Sequence, residues 1–283
     1  MDARVVDPLV GDSAFRLAHE RAMGALGRDR VGPPPDDLAA RHEPRVREAA
    51  VATWRARMVN EHRSSAVFAA LVPQMIEASS GFDLQTAALR AATDEIFHAT
   101  LCGDVVRAFG GASRAEAEPE LTAPPRHAGV DARERLLRNV MFVGCLSETV
   151  AVGLLTEEHA LCTDPWVKGV LEVIVADEVA HAKLGWQHVA AVAPTLDAAA
   201  RARTSDYLRV AFGYLEEKEL ALLPVSPPLP DADARAREAV GLCSGDGARS
   251  VFFDTLARVV VPSLDALGLD ASGAWRDRRR ASA

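Results

Sequence analysis

The 283-residue sequence predicts an all-α protein: a four-helix bundle joined by one long crossover, with further helices after it. Three observations predict this. Apolar residues recur at alternating spacings of three and four along four long segments, the period of a helix with one buried face. Alternating strand patterns bounded by turn signals are absent. Capping residues, prolines and glycines divide the chain where such helices would start and stop.

Residues 1–43 read as an N-terminal extension, with a short helix from Ser13 toward Gly27 and then a break at VGPPPDD, where consecutive prolines forbid helix. The bundle spans residues 44–193. Its first helix runs from Pro44 to about Ser79, with Pro73 as a kink point and Gly81 as the stop. The second opens at Asp83 as N-cap and stops at Gly110-Gly111. Residues 112–130 carry prolines and no helical pattern; a long link between two helical hairpins is a crossover. Asp131, with Glu134 three residues on, resembles a capping box and opens a third helix to about Cys162. Asp164-Pro165 opens a fourth, which stops before Pro194. Residues 194–283 read as a helical extension packing on the bundle. There Thr195 caps a fifth helix to about Leu223, PVSPPLP is a linker, one or two helices cover 231–268, and the arginine-rich tail AWRDRRRASA is solvated and disordered.

Composition removes several function classes. Hydrophobic residues make up 49% of the chain, ample for a core. A net charge of −8 argues against a nucleic-acid partner. The four cysteines (Cys102, Cys145, Cys162, Cys243) form no CxxC, which excludes zinc-ribbon, rubredoxin-type and thioredoxin-type sites. The opening MDARVVDPLVGD lacks a signal pattern, and no uninterrupted apolar run reaches membrane length. The expectation is a soluble, cytoplasmic chain with no membrane partner.

Charges interrupt the four apolar seams. Helix one places Trp54, Met58, Glu61, Ser65, Phe68 and Val72 in line; helix two, Ala88, Ala91, Glu95, His98, Cys102, Val105 and Phe109. Helix three aligns Leu137, Met141, Gly144, Glu148, Ala151 and Leu155; helix four, Val167, Leu171, Ile174, Glu178, His181 and Gly185. A glutamate stands near the middle of each seam, and no lysine or arginine shares the seams. Each buried carboxylate costs several kcal/mol unless paired. Two divalent ions would balance four glutamates, and the two histidines complete a ligand set. Glu and His three apart share one helix face, so an ExxH brings an oxygen and an imidazole nitrogen to one place.

Both ExxH copies read DExxH, DEIFH at 94–98 and DEVAH at 177–181, and both continue with Ala and Leu (Ala99/Ala182, Leu101/Leu184). Chance gives two such copies on the order of one time in a thousand. The pattern is that of an internal duplication, each half a Glu helix followed by a DExxH helix.

On these motifs, residues 44–193 resemble the ferritin-like di-iron carboxylate superfamily, whose bundle takes one Glu from each of two helices and one ExxH from each of the other two. The resemblance implies that Glu61, Glu95, His98, Glu148, Glu178 and His181 hold two Fe ions, or an Mn/Fe or Mn/Mn pair. Which carboxylates bridge stays open. It implies that Asp94 and Asp177 hydrogen-bond the ligating histidine of the other half, fixing its tautomer. It implies O2 as co-substrate and an O2-dependent oxidation of a small organic substrate by hydroxylation or N-oxygenation. Turnover then calls for an electron donor such as a ferredoxin or a reductase, and the reading allows a homodimer. The rival readings are a ferroxidase or iron store and a non-catalytic metal-stabilised bundle. Departures from subgroups are visible. Ile174 stands where N-oxygenases have a third histidine, Ala151 where rubrerythrins have an extra Glu, and Tyr207 and Tyr214 lie outside the motif helices.

Other residues near the ligands carry two readings each. Cys102, one turn past His98, lines a pocket or fills the core. Gly144 and Gly185 leave space for substrate or permit close helix packing. His188, which continues the helix-four seam, is a hydrogen-bonded or exposed histidine, with a third ligand as the alternative. Glu157 and Glu158 read as helix-surface charge, with iron entry as the alternative.

Overall fold

The computed structural model describes residues 3–8, 15–27, 31–118, 123–223 and 230–279. Ser13, residues 224–229 of the PVSPPLP linker and residues 280–283 of the tail lie outside the described residues. The protein is mostly helical, as expected. In chain order the elements are β1 (Arg4–Val6), α1 (Arg16–Leu26), α2 (Pro44–Glu77), α3 (Phe82–Ala108) and β2 (Ala115–Ala117). They are followed by α4 (Ala132–Leu161), α5 (Pro165–Val192), α6 (Ala198–Leu222) and α7 (Asp231–Glu238). Last come α8, which runs Gly245–Thr255, Leu256–Val260 and Val261–Ala266, and α9 (Ala271–Asp277).

Local chemistry accounts for the helix ends. Asp131 accepts a hydrogen bond from the Glu134 N–H at 2.8 Å, and Asp164 accepts from Trp166 and Val167 N–H at 3.0 Å. Each satisfies donors that the first helical turn leaves unpaired. Pro44 and Pro165 occupy first-turn positions, where their missing N–H costs nothing. Three expectations are corrected. The cap before α3 is Gly81, with Asp83 in the first turn, where its charge meets the positive helix end. The cap of α6 is Asp197, which accepts from Ala200 N–H, while Thr195 closes the preceding 3-10 turn. Short strands also exist: β1 pairs antiparallel with β2, tying the N-terminal segment to the crossover.

The four long helices pack as two hairpins. α2 lies along α3 and α4 along α5, and the hairpins meet where α2 contacts α4 and α3 contacts α5. The apolar core between them falls into two clusters. One contains Trp54, Met58, Phe97, Cys102, Val105, Leu155, Leu171 and Ile174; the other Phe68, Leu71, Met75, Ala91, Val140 and Leu184. On every helix the charged seam residues fall between these clusters, so a polar layer is sandwiched between two apolar ones.

A third cluster covers the outer face of α4. Leu137, Met141, Cys145, Leu146 and Val150 pack there against Leu208, Phe212, Phe252, Leu256 and Leu264 of the C-terminal helices. α4 is therefore apolar on both faces. It is the one helix among the described residues long and apolar enough to cross a membrane, yet most of that stretch is buried inside the protein. The described part of the arginine-rich end packs against the protein, contrary to the expectation of a solvated tail. Arg278 and Arg279 both pair with the buried carboxylate of Glu216, and the Arg278 guanidinium stacks on Trp275.

Within α4, residues Met141–Glu148 form a π-helix, a wide turn that ends on a seam glutamate. Its backbone meets α5 with no side chain between. A Cβ on Gly144 would lie 2.6 Å from the Gly185 Cα, and one on Gly185 would lie 2.6 Å from the Gly144 Cα. Of the two readings for these glycines, close packing is the one observed; the space held open for substrate is filled by backbone. Beside them the Trp186 indole N–H donates to the Thr149 hydroxyl at 2.9 Å, a second tie between the helices. Gly144→Ala or Gly185→Ala should therefore destabilise the protein by about 2 kcal/mol, the cost of overpacking against an unyielding backbone. Urea unfolding measures it, and wild-type midpoints for both variants would show that the helices do not approach this closely.

Candidate metal centre

The polar layer brings the six seam residues together. Glu61 comes from α2, Glu95 and His98 from α3, Glu148 from α4, and Glu178 and His181 from α5. They form two groups, each with its ligand atoms within 4.8 Å of one another: Glu61, Glu95, His98 and Glu178, and then Glu95, Glu148, Glu178 and His181. Each group could hold a metal ion. Glu95 and Glu178, the acids of the two DExxH motifs, belong to both.

The histidines point their Nδ1 atoms inward. His98 Nδ1 lies 3.2 Å from Glu178 Oε1 and 3.4 Å from Glu61 Oε2. His181 Nδ1 lies 3.0 Å from Glu178 Oε2 and 3.2 Å from Glu95 Oε1. The imidazole ring centroids are 5.9 Å apart. Their Nε2 atoms face the aspartates of the opposite motif: His98 Nε2 stands 3.2 Å from Asp177 Oδ2, and His181 Nε2 stands 3.6 Å from Asp94 Oδ2. Phe68 packs on the His181 ring and Phe97 on that of His98, enclosing the layer with apolar surface.

The donor set fits a metal. Glu95 Oε2 and His98 Nδ1 are buried at the centre of the layer without a hydrogen-bond partner. Orphaned polar atoms of this kind cost about 1–3 kcal/mol each, and an ion would satisfy them. In the metal-free protein, protons take the place of positive charge. Burial, together with the negative charges of Glu178 and Glu61, holds the Glu95 carboxyl well above its usual range. Burial, Glu178 and Glu95 do the same to Glu148. Burial opposes charge on His98, but Asp177, Glu178 and Glu61 outweigh it and raise its pKa strongly. His181 resists burial in the same way through Asp94, Glu178 and Glu95 and is pushed up to about 12. Glu178 moves down: burial works against its charge, but the hydrogen bond with His181 and the nearby His98 imidazole prevail.

Among the neighbouring residues Glu158 differs from expectation. Glu158 is not surface charge. It is buried, 2.5 Å from the Arg57 guanidinium, which stacks over Trp54. Helical spacing hid this pair, because Arg57 and Glu158 lie on different helices and off the seams as aligned. Cys102 lies wholly within the apolar core, its thiol pushed up by burial and by Glu61, so it lines no open pocket. His188 is half-buried, and burial lowers its pKa. Tyr207 packs edge-on to His127, and Tyr214 packs against Phe142.

No protein-family model matches the chain, and no curated protein matches it.

The proton-filled layer sets a pH dependence. A group whose folded pKa is raised stabilises the fold fully below its unfolded pKa and loses that contribution as pH rises toward the folded value. For Glu95 and Glu148 the loss starts above the ordinary 4.5, and for His98 and His181 above the ordinary 6.5. Glu178, lowered, contributes above 4.5 and loses its contribution only as pH falls below it. The melting temperature of metal-free protein should thus fall steadily between about pH 5 and pH 9, and metal loading should raise it most at the alkaline end. Calorimetry of the chelated and loaded forms checks this; a flat metal-free profile would mean that the glutamates are solvated.

The buried pair gives a second expectation. Glu158→Ala leaves the Arg57 charge uncompensated and should cost about 3 kcal/mol in urea unfolding. A loss below about 0.5 kcal/mol would place the pair in solvent.

Proposed function

We propose that the Glu/His layer is a dinuclear iron centre in a ferritin-like four-helix bundle. We further propose that the protein is an O2-dependent oxidoreductase, of hydroxylase or N-oxygenase type, acting on a small organic substrate. The observation that carries this reading is the sharing of Glu95 and Glu178 by both ligand groups. Glu95 and Glu178 would be held in common by two ions, with Glu61 and His98 completing one set and Glu148 and His181 the other. Three oxygens and one imidazole per ion suit Fe(II) or Mn(II), and thiolate-seeking metals find no partner in this set. The crossover between the two hairpins and the duplicated DExxH support the same reading.

Bound iron would supply the electrons that activate O2. The chain's own residues prepare the site for that chemistry. Four glutamates match the charge of two divalent ions, so the loaded layer is close to neutral in its apolar sandwich. Asp177 holds the Nε2 proton of His98, leaving Nδ1 as the donor that faces inward. Phe68 and Phe97 exclude water from the imidazoles. Two further electrons per turnover would come from a ferredoxin or reductase partner.

Anaerobic titration should find two Fe(II) per chain. Sharing makes the variants unequal: Glu95→Ala or Glu178→Ala should weaken both ions, whereas Glu61→Ala or Glu148→Ala should leave one bound. The loaded protein should then consume O2 in proportion to electrons from a reduced donor. Fewer than two ions in wild type overturns the dinuclear centre. Sustained oxidation of many Fe(II) per chain, with no electron donor required, makes the protein an iron store instead.

A further inference from the structure

The two motif helices differ in charge one turn before the DExxH, and this difference falls on the hydrogen bonds behind the histidines. One helical turn before Asp94 stands Arg90, whose Nε donates to Asp94 Oδ1 at 2.7 Å. One turn before Asp177 the corresponding residue is Val173, which carries no charge. The two aspartates serve their histidines differently. Asp177, bound to no arginine among the described residues, is within hydrogen-bond distance of His98 Nε2 at 3.2 Å. Asp94, held by Arg90, stands 3.6 Å from His181 Nε2, and that nitrogen is buried without a hydrogen-bond partner.

A carboxylate that accepts the outer N–H of an imidazole makes the inner nitrogen a stronger donor. A guanidinium on the same carboxylate draws its charge away and turns it toward itself. We propose that Arg90 is a positioning residue that makes the two metal positions unequal: the Glu61/His98 position binds its ion tightly, and the Glu148/His181 position binds more weakly because Arg90 restrains Asp94. This rests on the dinuclear reading above and deepens it. The consequence is ordered filling, with the first ion on the α2 side and the second on the α4 side.

Arg90 is exposed, its side chain 57% accessible, so its replacement leaves the core untouched. The test is anaerobic Fe(II) binding to full-length protein by titration calorimetry, with wild type, Arg90→Leu and Arg90→Lys. Wild type should show two separated steps, and Glu148→Ala should abolish the weaker one. In Arg90→Leu the weaker step should tighten by about tenfold, as Asp94 swings back to His181, while the tighter step stays in place. Arg90→Lys, which restores a donor to Asp94, should return the isotherm toward wild type. Repeating the titration at about 0.5 M salt separates mechanisms, because an effect of exposed charge alone fades there and a hydrogen-bond effect persists. Two ions per chain with an Arg90→Leu isotherm equal to wild type, or with a weaker second step, overturns the role of Arg90 and leaves the dinuclear centre standing. A shift of both steps together, or one lost in high salt, also overturns it. Fewer than two ions in wild type and variant alike overturns the centre and this inference with it.

Discussion

Four carboxylates held face to face between two apolar clusters are the constraint on which this structure depends. Glu61, Glu95, Glu148 and Glu178 are nearly or wholly buried, and among the described residues no lysine or arginine forms an ion pair with any of them. Their mutual repulsion in such surroundings exceeds what packing of the adjacent seams can offset, unless positive charge enters the layer. The raised pKa values of Glu95, Glu148 and the two histidines favour protons there in the metal-free chain, and a metal ion could take their place. The apolar clusters on either side make that substitution consequential, because they keep water from screening the layer.

Holding the layer to a ligand geometry requires the hairpins to be locked in register, and α4 and α5 show how this is done. Gly144 and Gly185 let the two backbones touch, and Trp186 ties its indole to Thr149 beside them. The π-helix Met141–Glu148 widens the turn that ends on Glu148. A wide turn rotates every later side chain relative to a regular helix, so the orientation of this glutamate is tied to that local irregularity. The C-terminal helices bury the outer face of the same segment, which explains why α4 is apolar all round while ending its π segment on a buried charge.

The internal duplication is thus only approximate in its chemistry. Each half offers one glutamate, one DExxH and one aspartate for the other half's histidine. Yet the surroundings differ: a π turn and touching glycines on the α4–α5 side, the buried Arg57–Glu158 pair near Glu61 on the α2 side, and Arg90 behind only one aspartate. These departures from symmetry give two ligand groups of the same composition unlike surroundings.

The helices and the six charged seam residues were legible from the amino-acid order, because both follow from the 3.6-residue period. Glu95 and His98 share a face whatever lies opposite them, and Asp131 and Asp164 cap their helices through bonds only two or three residues long. The tertiary structure alone decided what depends on how helices are set against each other. Glu95 and Glu178 became the shared acids because α3 and α5 lie side by side, and His98 found Asp177 rather than a nearer residue for the same reason. Glu158 went inward because Arg57 arrives from another helix. Gly144 and Gly185 proved to be contact points because each is defined only by the other, forty-one positions away. Even the Arg90–Asp94 bond, local and readable at a spacing of four, acquires its meaning only from His181 across the interface. Short-range periodicity assigns faces; the chemistry between faces exists only once the helices have been brought together.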